Sequence, residues 1–244
     1  MSTRTVLAIT GTDRVDFLQG LITNDVTRAD GGIVYAALLT PQGKFIADFF
    51  VIGQPDILLI DVGSSVAATL FQRLSMYRLR ADVQISETAL TVSRGTGPRP
   101  DGALDDSRHA ALGWRYYGDQ DISDATVDWE AIEVANLIPA TGIELTPDTY
   151  ILEANFEAIN GVDFKKGCFV GQEIVARMKH KATLKKGLRR VSIDGDAASG
   201  DAIMSGDKPA GTLHSVHGNQ GIAYLRFDRT DTMTTQKASL HLAD

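Results

Sequence analysis

The chain has 244 residues, 43% of them hydrophobic, a single cysteine and a formal net charge of −7. One thiol excludes an internal disulfide framework and a cysteine-rich zinc or iron–sulfur site within one chain. No apolar stretch approaches the roughly 18–20 residues that span a bilayer, and the N-terminal apolar run is too short for a secretory signal. We therefore expect a soluble intracellular protein with no membrane partner.

The net charge hides a basic window. Residues Lys165–Arg190 carry nine Lys or Arg and one acid, Glu173, so the window is +8 and the rest of the chain is −15. A local cationic region in an acidic chain favours a specific anionic partner over general affinity for nucleic acid. The alternative is a solvated, lysine-rich helix and loop, and charge alone does not choose between the two.

Three Pro- and Gly-rich stretches punctuate the chain, at residues 93–103, 139–149 and 194–201. Such stretches favour turns and loops over helices and strands. They divide the chain into a first segment, a middle segment and a C-terminal segment. The predicted bounds are 1–92, 93–185 and 186–244.

The first segment alternates short apolar runs with two helical patterns. Four runs are β-branched or aromatic and bounded by Gly, Asp or Pro, which predicts the strands TVLAI, IVYAALL, KFIADFFVI and ILLIDV. Helices are predicted near 13–22, opened by Asp13, and near 64–78, where apolar residues recur at helical spacing. Mixed strands with two helices predict an α+β fold whose helices lie on one face of a sheet.

The remaining segments differ from each other in character. The middle segment carries predicted helices at 128–137, begun by Asp128, and at 171–180. The C-terminal segment has short strands separated by turn residues and no helical period: LRRVSI, PAGTLHSV, GIAYLRF and ASLHLA. This predicts a small β-barrel or sandwich from about residue 186.

The single cysteine lies in the run KKGCFVGQE, Lys165–Glu173. A helix is predicted to start at Gly171 or Gln172, just after Cys168. Unpaired N–H groups at a helix N-terminus favour negative charge, and the two lysines before the cysteine add positive potential. Both effects lower the pKa of a thiol, so the sequence predicts a reactive thiolate.

Each of these residues also has an ordinary interpretation. A lone cysteine is often a small buried hydrophobe, Glu173 fits a capping role, and Gln172 fits plain surface. None of the five histidines is nominated by its spacing as a base for the thiol. His214 and His217 lie three residues apart on a predicted strand, so they point to opposite faces and predict no metal site.

The run Lys166–Glu173 resembles the K-G-C-[YF]-x-G-Q-E signature of YgfZ-type proteins. These are relatives of the glycine-cleavage T-protein, an aminomethyltransferase, and their C-terminal part is called the CAF17 domain. The similarity extends to Phe17–Val26, to residues 35–51 and 77–83, and to the C-terminal strands. It implies β-rich units around a central opening, a tetrahydrofolate pocket between them, and a role in assembly or repair of iron–sulfur proteins.

The resemblance also implies the site residues. Asn24 and Asp25 match a turn that lines the folate pocket, and Asp48 matches an acid that follows a hairpin. Glu153 resembles the glutamate that binds the pterin ring in T-proteins. The implied catalytic residues are Cys168, Lys166 and Asp48. The implied folate-binding residues are Asn24, Asp25, Asp48, Glu153, Gly167, Gly171, Gln172, Glu173 and Arg177.

Three functions stay open. The leading one is a tetrahydrofolate-binding protein that assembles or repairs iron–sulfur proteins, with Cys168 as functional thiol and iron–sulfur client or scaffold proteins as partners. The second is a folate-dependent aminomethyltransferase, against which Ala47 stands where T-proteins usually carry an acid. The third is a folate-binding regulatory module with a structural cysteine. The expected location is the cytoplasm, or the mitochondrial matrix in a eukaryote.

Overall fold

A computed structural model describes residues 3–181 and 183–243, with the backbone alone at Lys181. Contacts between residues divide the chain into two compact units. The first unit comprises Met1–Val127 with Phe156–Ala176, and the second comprises Asp128–Asn155 with Arg177–Asp244. The three-segment division at residues 92 and 185 is a different partition and stays a prediction.

A few residues of the sequence predictions lie outside the described part of the chain. They are the ends of the first and last segments, Met1, Ser2 and Asp244, and, within the basic window, Ala182 and the side chain of Lys181.

The first unit is built on a five-stranded sheet in which every neighbouring pair is antiparallel. Its strands are β1 Arg4–Thr10, β2 Ile33–Leu39, β3 Phe45–Gln54, β4 Ile57–Gly63 and β5 Gln84–Glu87. They lie in the order β2-β3-β4-β1-β5. Four of them are the predicted strands, and β5 was not predicted because its residues are mostly exposed and polar.

Both predicted helices of this unit form, as α1 Arg14–Gln19 and α2 Ser64–Arg78. Their apolar side chains, such as Leu18, Leu70 and Leu74, pack in one core with alternate residues of the strands. Successive side chains of a strand point to opposite faces, so this core lies on one face of the sheet. Two short 3-10 helices, Val26–Ala29 and Ala110–Leu112, lie in the connections.

A second, three-stranded sheet completes the first unit. Its strands are β6 Thr91–Gly95, β7 Leu104–Asp105 and β8 Trp114–Gly118, none of which was predicted. They lie in the order β6-β8-β7. These strands are short and carry charged residues at positions that prove to be buried, such as Arg115. Hydrophobic periodicity therefore gave no signal there.

The second unit is dominated by a closed barrel, which confirms the barrel predicted from residue 186. The barrel strands are β9 Lys186–Gly195, β10 Ala202–Ser205, β11 Lys208–His217, β12 Gln220–Arg226, β13 Met233–Thr234 and β14 Ala238–Leu242. They close in the order β10-β11-β12-β9-β14-β13 around an apolar core that includes Val191, Leu213 and Leu225. Helix α3, Trp129–Ala135, is capped by Asp128, whose side chain accepts a hydrogen bond from Ala131 N.

Helix α4, Gln172–Lys181, begins where the sequence predicts it. The described residues form a five-stranded sheet, a three-stranded sheet, a closed barrel and four α-helices. The predicted α+β fold class is therefore confirmed. Within residues 3–181 and 183–243, no helix combines the length and apolarity needed to cross a membrane.

Candidate functional site

The sheet face opposite the helix core carries a row of buried polar and aromatic residues. Tyr35, Phe50 and Asp61 are paired in register across three neighbouring strands, so they share this face. The Tyr35 hydroxyl donates a hydrogen bond of 2.9 Å to Asp48 Oδ2, and the rings of Tyr35 and Phe156 lie 5.4 Å apart. Burial, together with the charge of Asp48, raises the pKa of Tyr35, so this hydroxyl stays a donor. The carboxylate of Asp48 is thereby held in place at the edge of the row.

Asp61 on this face is saturated by cationic and hydroxyl donors. Its carboxylate accepts from Arg4 Nε at 2.6 Å, from Arg115 Nη2 at 2.6 Å and from the Tyr117 hydroxyl at 3.0 Å. Burial alone raises the pKa of Asp61, but the charges of Arg115 and Arg4 outweigh it, so the pKa is lowered. Asp61 is therefore ionised and fully engaged within the protein.

A second buried carboxylate, Asp106, continues the network. It accepts from Arg108 Nη2 at 2.9 Å and from Arg115 Nη1 at 3.3 Å. Burial opposes ionisation, but the two guanidinium groups lower the pKa of Asp106 to about 2. The Arg108 guanidinium also lies 5.0 Å from the centre of the Phe50 ring, a cation–π arrangement. The network joins β1, β4, β8 and the segment after β7 into one rigid support under Asp48 and Tyr35.

Asn24 is a structural hub of the predicted folate-binding turn. Its amide group donates to Tyr35 O at 2.8 Å and to Asn160 O at 2.7 Å, and its Oδ1 accepts from Asp25 N. Both amide protons of Asn24 are thus used inside the first unit, and the residue is 5% exposed. Only the side-chain oxygen of Asn24 could therefore contact a ligand. If Asn24 binds folate as predicted, it does so as a hydrogen-bond acceptor.

Asp25 acts locally as a cap. Its Oδ1 accepts from the backbone and hydroxyl of Thr27, in the first turn of the 3-10 helix Val26–Ala29, and from Gln19 Nε2 at 3.1 Å. Its slight burial opposes ionisation, but these hydrogen bonds and the charge of Lys166 lower the pKa of Asp25. A ligand cation or N–H group would find this carboxylate ionised.

Lys166 ties the cysteine loop to the end of α1. Its ammonium donates to Gln19 O at 2.5 Å and to Ile22 O at 2.7 Å. Burial lowers the pKa of Lys166 to about 8, although the charges of Asp25, Asp163 and Cys168 act in the opposite direction. The sequence predicted Lys166 as a source of positive potential for the thiol; the structure adds that it is a clamp.

The two glycines of the motif shape the loop. Gly167 and Gly171 have φ values of 96° and 84°, which residues other than glycine rarely adopt. A Cβ at Gly171 would lie 2.7 Å from Thr40 O, so only glycine permits this close approach to the β2–β3 turn. Gln172 Nε2 donates to Gly167 O at 2.8 Å and closes the loop on itself. These residues position the cysteine; their contact with folate stays a prediction.

Cys168 is exposed, so it does not act as a small buried hydrophobe. The next residue, Phe169, is 7% exposed and anchors the loop, with the Lys166 ammonium 5.2 Å from its ring centre. Helix α4 begins four residues after the cysteine, as the sequence predicted. The remaining motif residues Glu173 and Arg177 are exposed. The loop thus displays its thiol while its neighbours are fixed.

Glu153 lies in the second unit, in the wall of a cavity of about 220 Å³. Its Oε2 accepts from the Tyr224 hydroxyl at 2.6 Å and lies 3.8 Å from Lys186 Nζ. Its Oε1 forms no hydrogen bond with a described residue. Burial and the contact with Glu153 raise the pKa of Tyr224, so the tyrosine remains protonated and orients the carboxylate. Other walls of the cavity are formed by Glu144, Thr146, Asp148, Thr149 and His214.

A second cavity of about 310 Å³ shares Glu153 and Lys186 with the first. Its walls also include Lys185, Arg226 and Met178. The polar lining of the first cavity thus consists largely of carboxylates and hydroxyls, whereas the second cavity brings three cations, Lys185, Lys186 and Arg226, together beside apolar residues. Together the two cavities suit a ligand that has hydrogen-bond donors at one end and carboxylates at the other.

The structure brings Asn24, Asp25 and Lys166 together in the first unit, and it links Asn24 to Asp48 through Tyr35. Glu153 belongs to the second unit, and its predicted convergence with the others on one cavity stays a prediction. Among the described residues, no group of three or more His, Cys, Asp or Glu is placed to hold a metal ion.

Sequence reasoning missed Tyr35, Arg108, Arg115 and Tyr224. Tyr224 lies on the predicted strand GIAYLRF, but Ile222 on the same face is buried, so no alternation along the strand singled out the tyrosine. Lys186 was counted in the basic window but was not assigned to the glutamate. Arg115 lies 54 residues from its partner Asp61, so no spacing identified it. Arg108 is only two residues from its partner Asp106, but charged residues are mostly exposed, and nothing in the sequence marked this pair as buried.

The fold defines the class first. The chain has the fold of the glycine-cleavage T-protein: its structure is similar to that of the glycine cleavage system aminomethyltransferase T from Bartonella henselae, with a TM-score of 0.80 over 100% of this chain and 83% of that one. At 13% sequence identity this likeness shows the fold alone. Residues 185–244 match the model of one particular family, CAF17, C-terminal beta-barrel domain.

Over most of its length the chain is similar to proteins named as iron–sulfur cluster assembly factors. It is 29% identical to the mitochondrial iron–sulfur cluster assembly factor IBA57 of Mus musculus, over 98% of this chain and 78% of that protein. The human protein of the same name is 28% identical, over 91% of this chain and 75% of that protein. The homologue from Neurospora crassa is 31% identical, and the chain spans 51% of its length. The resemblance to the CAF17 C-terminal domain and to the T-protein fold, predicted from the sequence, is thus confirmed. The resemblance to YgfZ-type proteins stays a prediction.

Proposed function

We propose that this chain binds tetrahydrofolate beside Glu153 and acts in the assembly or repair of iron–sulfur proteins, with Cys168 as its functional thiol. The observation that carries the iron–sulfur role is the similarity, along 98% of the chain, to a protein named as an iron–sulfur cluster assembly factor. The chemistry of two local sites, the glutamate cavity and the cysteine loop, supports the two finer parts of the proposal.

The cavity around Glu153 suits a reduced pterin. A pterin ring presents adjacent N–H donors, and Glu153 offers an oxygen with no described partner while Tyr224 fixes the other. At about 220 Å³ the cavity is smaller than the roughly 300–1,000 Å³ of sites for drug-sized ligands, so it fits one ring system and not a whole folate. The neighbouring cavity, with Lys185, Lys186 and Arg226, offers cations for the glutamate carboxylates of the tail.

Tetrahydrofolate would supply a reduced ring that carries one-carbon units. The residues of this chain would bind and orient it: Glu153 accepts from the ring, and Lys186, 3.8 Å from that carboxylate, limits its repulsion of the tail. The fit concerns the second unit alone.

The exposed cysteine suits a transient role in cluster chemistry. A thiolate can coordinate iron or attack a disulfide or persulfide, and both need access to the sulfur, which Cys168 has. One cysteine supplies one ligand. A cluster bound here would therefore need further thiolates from a partner protein, a second copy of the chain or a small thiol.

The folate part is tested by calorimetric titration with tetrahydrofolate under anaerobic conditions. Glu153→Gln removes the charge that accepts from the ring; a hydrogen bond to a charged group contributes about 1.5–3 kcal/mol, so affinity should fall roughly ten- to hundredfold. Glu130→Gln is the matched control, since Glu130 is an exposed glutamate of the same unit. Equal affinity of both variants and the unaltered protein would place the pterin elsewhere.

The iron–sulfur part is tested in cells that lack the gene. We expect the unaltered chain to restore the activity of a [4Fe–4S] dehydratase, and Cys168→Ser to fail at equal protein level. If Cys168→Ser restores the dehydratase activity as well, the thiol is not needed for this function. The third alternative, a folate-binding regulatory module with a structural cysteine, would then be favoured. Aminomethyl transfer from a lipoylated carrier, measured with the purified chain, would support the second alternative, which at present rests on fold similarity alone.

A further inference from the structure

The C-terminal end of helix α2 exposes large apolar side chains. Leu79, directly after the helix, is 86% exposed, Met76 is 61% exposed and Phe71 is 39% exposed. The other side of the same helix end is packed normally, since Leu70 and Leu74 are fully buried in the core of the first unit. The exposed apolar side chains are therefore not a consequence of a poorly packed helix.

Leu79 also has a backbone conformation that is costly for leucine. Its φ of 47° and ψ of −105° fall in a region where glycine is at ease and a branched side chain is strained. Two backbone hydrogen bonds hold this turn. Ala81 N donates to Arg78 O at 2.8 Å across Leu79, and Val83 N donates to Ala81 O at 2.9 Å just after it. Glycine would suit this turn better, and the leucine side chain buries almost nothing. Strained exposed residues of this kind are characteristic of functional surfaces.

The charges on the stretch of chain that carries these apolar residues have one sign. Residues 62–81 contain Arg73, Arg78 and Arg80 and neither an acid nor a lysine, in a chain whose net charge is −7. The three arginines are exposed, and no described residue forms an ion pair with them. The next acid along the chain, Asp82, accepts hydrogen bonds from Thr12 instead. We call Phe71, Arg73, Met76, Arg78, Leu79 and Arg80 the α2 patch.

We propose that the α2 patch is a docking surface for a protein partner whose contact surface carries carboxylates around an apolar pocket. Leu79 and Met76 enter the pocket, and the arginines pair with the carboxylates. The residue types favour a protein over a lipid surface: Arg and Met are enriched in protein interfaces, where Lys is depleted, and the arginine fork matches a carboxylate in two parallel hydrogen bonds. This surface does not depend on folate binding.

The partner is identified first and then measured. A photo-crosslinking amino acid replaces Met76 in the full-length chain in cells, with the same substitution at exposed Gln54 as control. The protein that is crosslinked at Met76 and not at Gln54 is purified, and its affinity for the uncrosslinked chain is measured by calorimetry at two salt concentrations.

The variants separate docking from structure. Leu79→Gly and Leu79→Asn should weaken binding at least tenfold while the thermal midpoint of the chain stays unchanged or rises, because both residues tolerate this turn better than leucine. Arg73→Glu should weaken binding further and reduce its salt dependence, whereas Lys208→Glu, an exposed charge reversal in the barrel, should not. Absence of a specific crosslink, crosslinks to lipid or nucleic acid alone, unchanged affinity of Leu79→Gly, or a lowered thermal midpoint in both Leu79 variants would each overturn the proposal.

Discussion

Two buried carboxylates, Asp61 in the first unit and Glu153 in the second, are hydrogen-bonded to different degrees. Asp61 in the first unit accepts from two guanidinium groups and a tyrosine hydroxyl, all within 3.1 Å. Glu153 in the second unit accepts from one tyrosine hydroxyl, has a lysine at 3.8 Å and keeps one oxygen toward a cavity. The two residues are similarly removed from solvent, at 0% and 8% exposure, so burial by itself does not distinguish them.

The difference lies in how completely each charge is satisfied. A buried charge is tolerated when it is paired and hydrogen-bonded, and a fully paired one has nothing left to offer a ligand. Asp61 and Asp106 therefore stabilise the support on which Tyr35 and Asp48 rest. Glu153 is oriented but unsaturated, which is the arrangement expected of a binding residue. The degree of saturation, and not burial, separates Asp61 and Asp106 from Glu153, the carboxylate that we propose as a ligand-binding residue.

The largest expected effect comes from breaking the saturated network. Asp61→Asn leaves Arg115, which is 2% exposed, with a buried charge that has lost its main partner. Removing one member of a buried pair costs about 3–5 kcal/mol of unfolding free energy. Urea denaturation measures this loss, with Asp56→Asn, an exposed aspartate near the start of the same strand, as control. A loss of under about 1 kcal/mol would show that the network contributes no more than surface pairs do.

Acid should weaken the same network through Asp106. Its pKa is lowered from 3.8 to about 2 in the folded protein, so its stabilising contribution is present above pH 3.8 and is lost as the pH falls toward 2. In that window the unfolded chain binds more protons, and the contribution is roughly 2 kcal/mol. Urea denaturation at pH 5, 3 and 2 of the unaltered chain and of Asp106→Asn tests this. The variant should be less stable at pH 5 and should lose less stability on acidification; parallel losses would contradict the assignment.

The unsaturated carboxylate should respond more mildly to the loss of its partner. Tyr224→Phe removes the hydroxyl that donates to Glu153 at 2.6 Å. Because the cavity admits water to the carboxylate, the free energy of unfolding should fall by only about 0.5–1.5 kcal/mol. Tetrahydrofolate affinity should fall severalfold, since the carboxylate loses its orientation. A loss of stability as large as that of Asp61→Asn would show that Glu153 is structural after all.

The smallest effect concerns the exposed thiol. The rate of alkylation of Cys168 by iodoacetamide at pH 7 should exceed that of a free cysteine, and Lys166→Ala should lower it about two- to fivefold, as expected for a charge pair near the surface. Because burial lowers the pKa of Lys166 to about 8, the difference between the two proteins should shrink above that pH as the lysine loses its proton.

Lys165→Ala separates the two roles of Lys166 in this experiment. Lys165 is exposed and has the same charge, but its side chain does not clamp the loop to Gln19 and Ile22. Equal effects of the two variants would indicate charge as the cause, and an effect of Lys166→Ala alone would indicate the clamp. If the thiol of the unaltered chain reacts no faster than a free cysteine, the functional interpretation of Cys168 fails.

The sequence by itself was enough to predict the helices and strands in which apolar residues recur at a regular spacing. Strand β2, helix α2 and the longer barrel strands were predicted within a few residues, because each buries one regular face. The start of α4 and the exposed cysteine before it also followed from local features, namely glycines, capping residues and charge. These are properties of neighbours along the chain, and a linear sequence records them directly.

Only the tertiary structure decided which polar residues meet. Arg115 and Asp61 are 54 residues apart, and Tyr224 and Glu153 are 71 apart. Burying a charge requires a specific partner, yet nothing near the charge in the sequence states which residue that partner is. For the same reason the short strands β6 to β8 were missed, since Arg115 on β8 reads as a surface residue until Asp61 is placed opposite it. Whether a carboxylate is saturated or open is therefore settled by the fold, through contacts that no local period encodes.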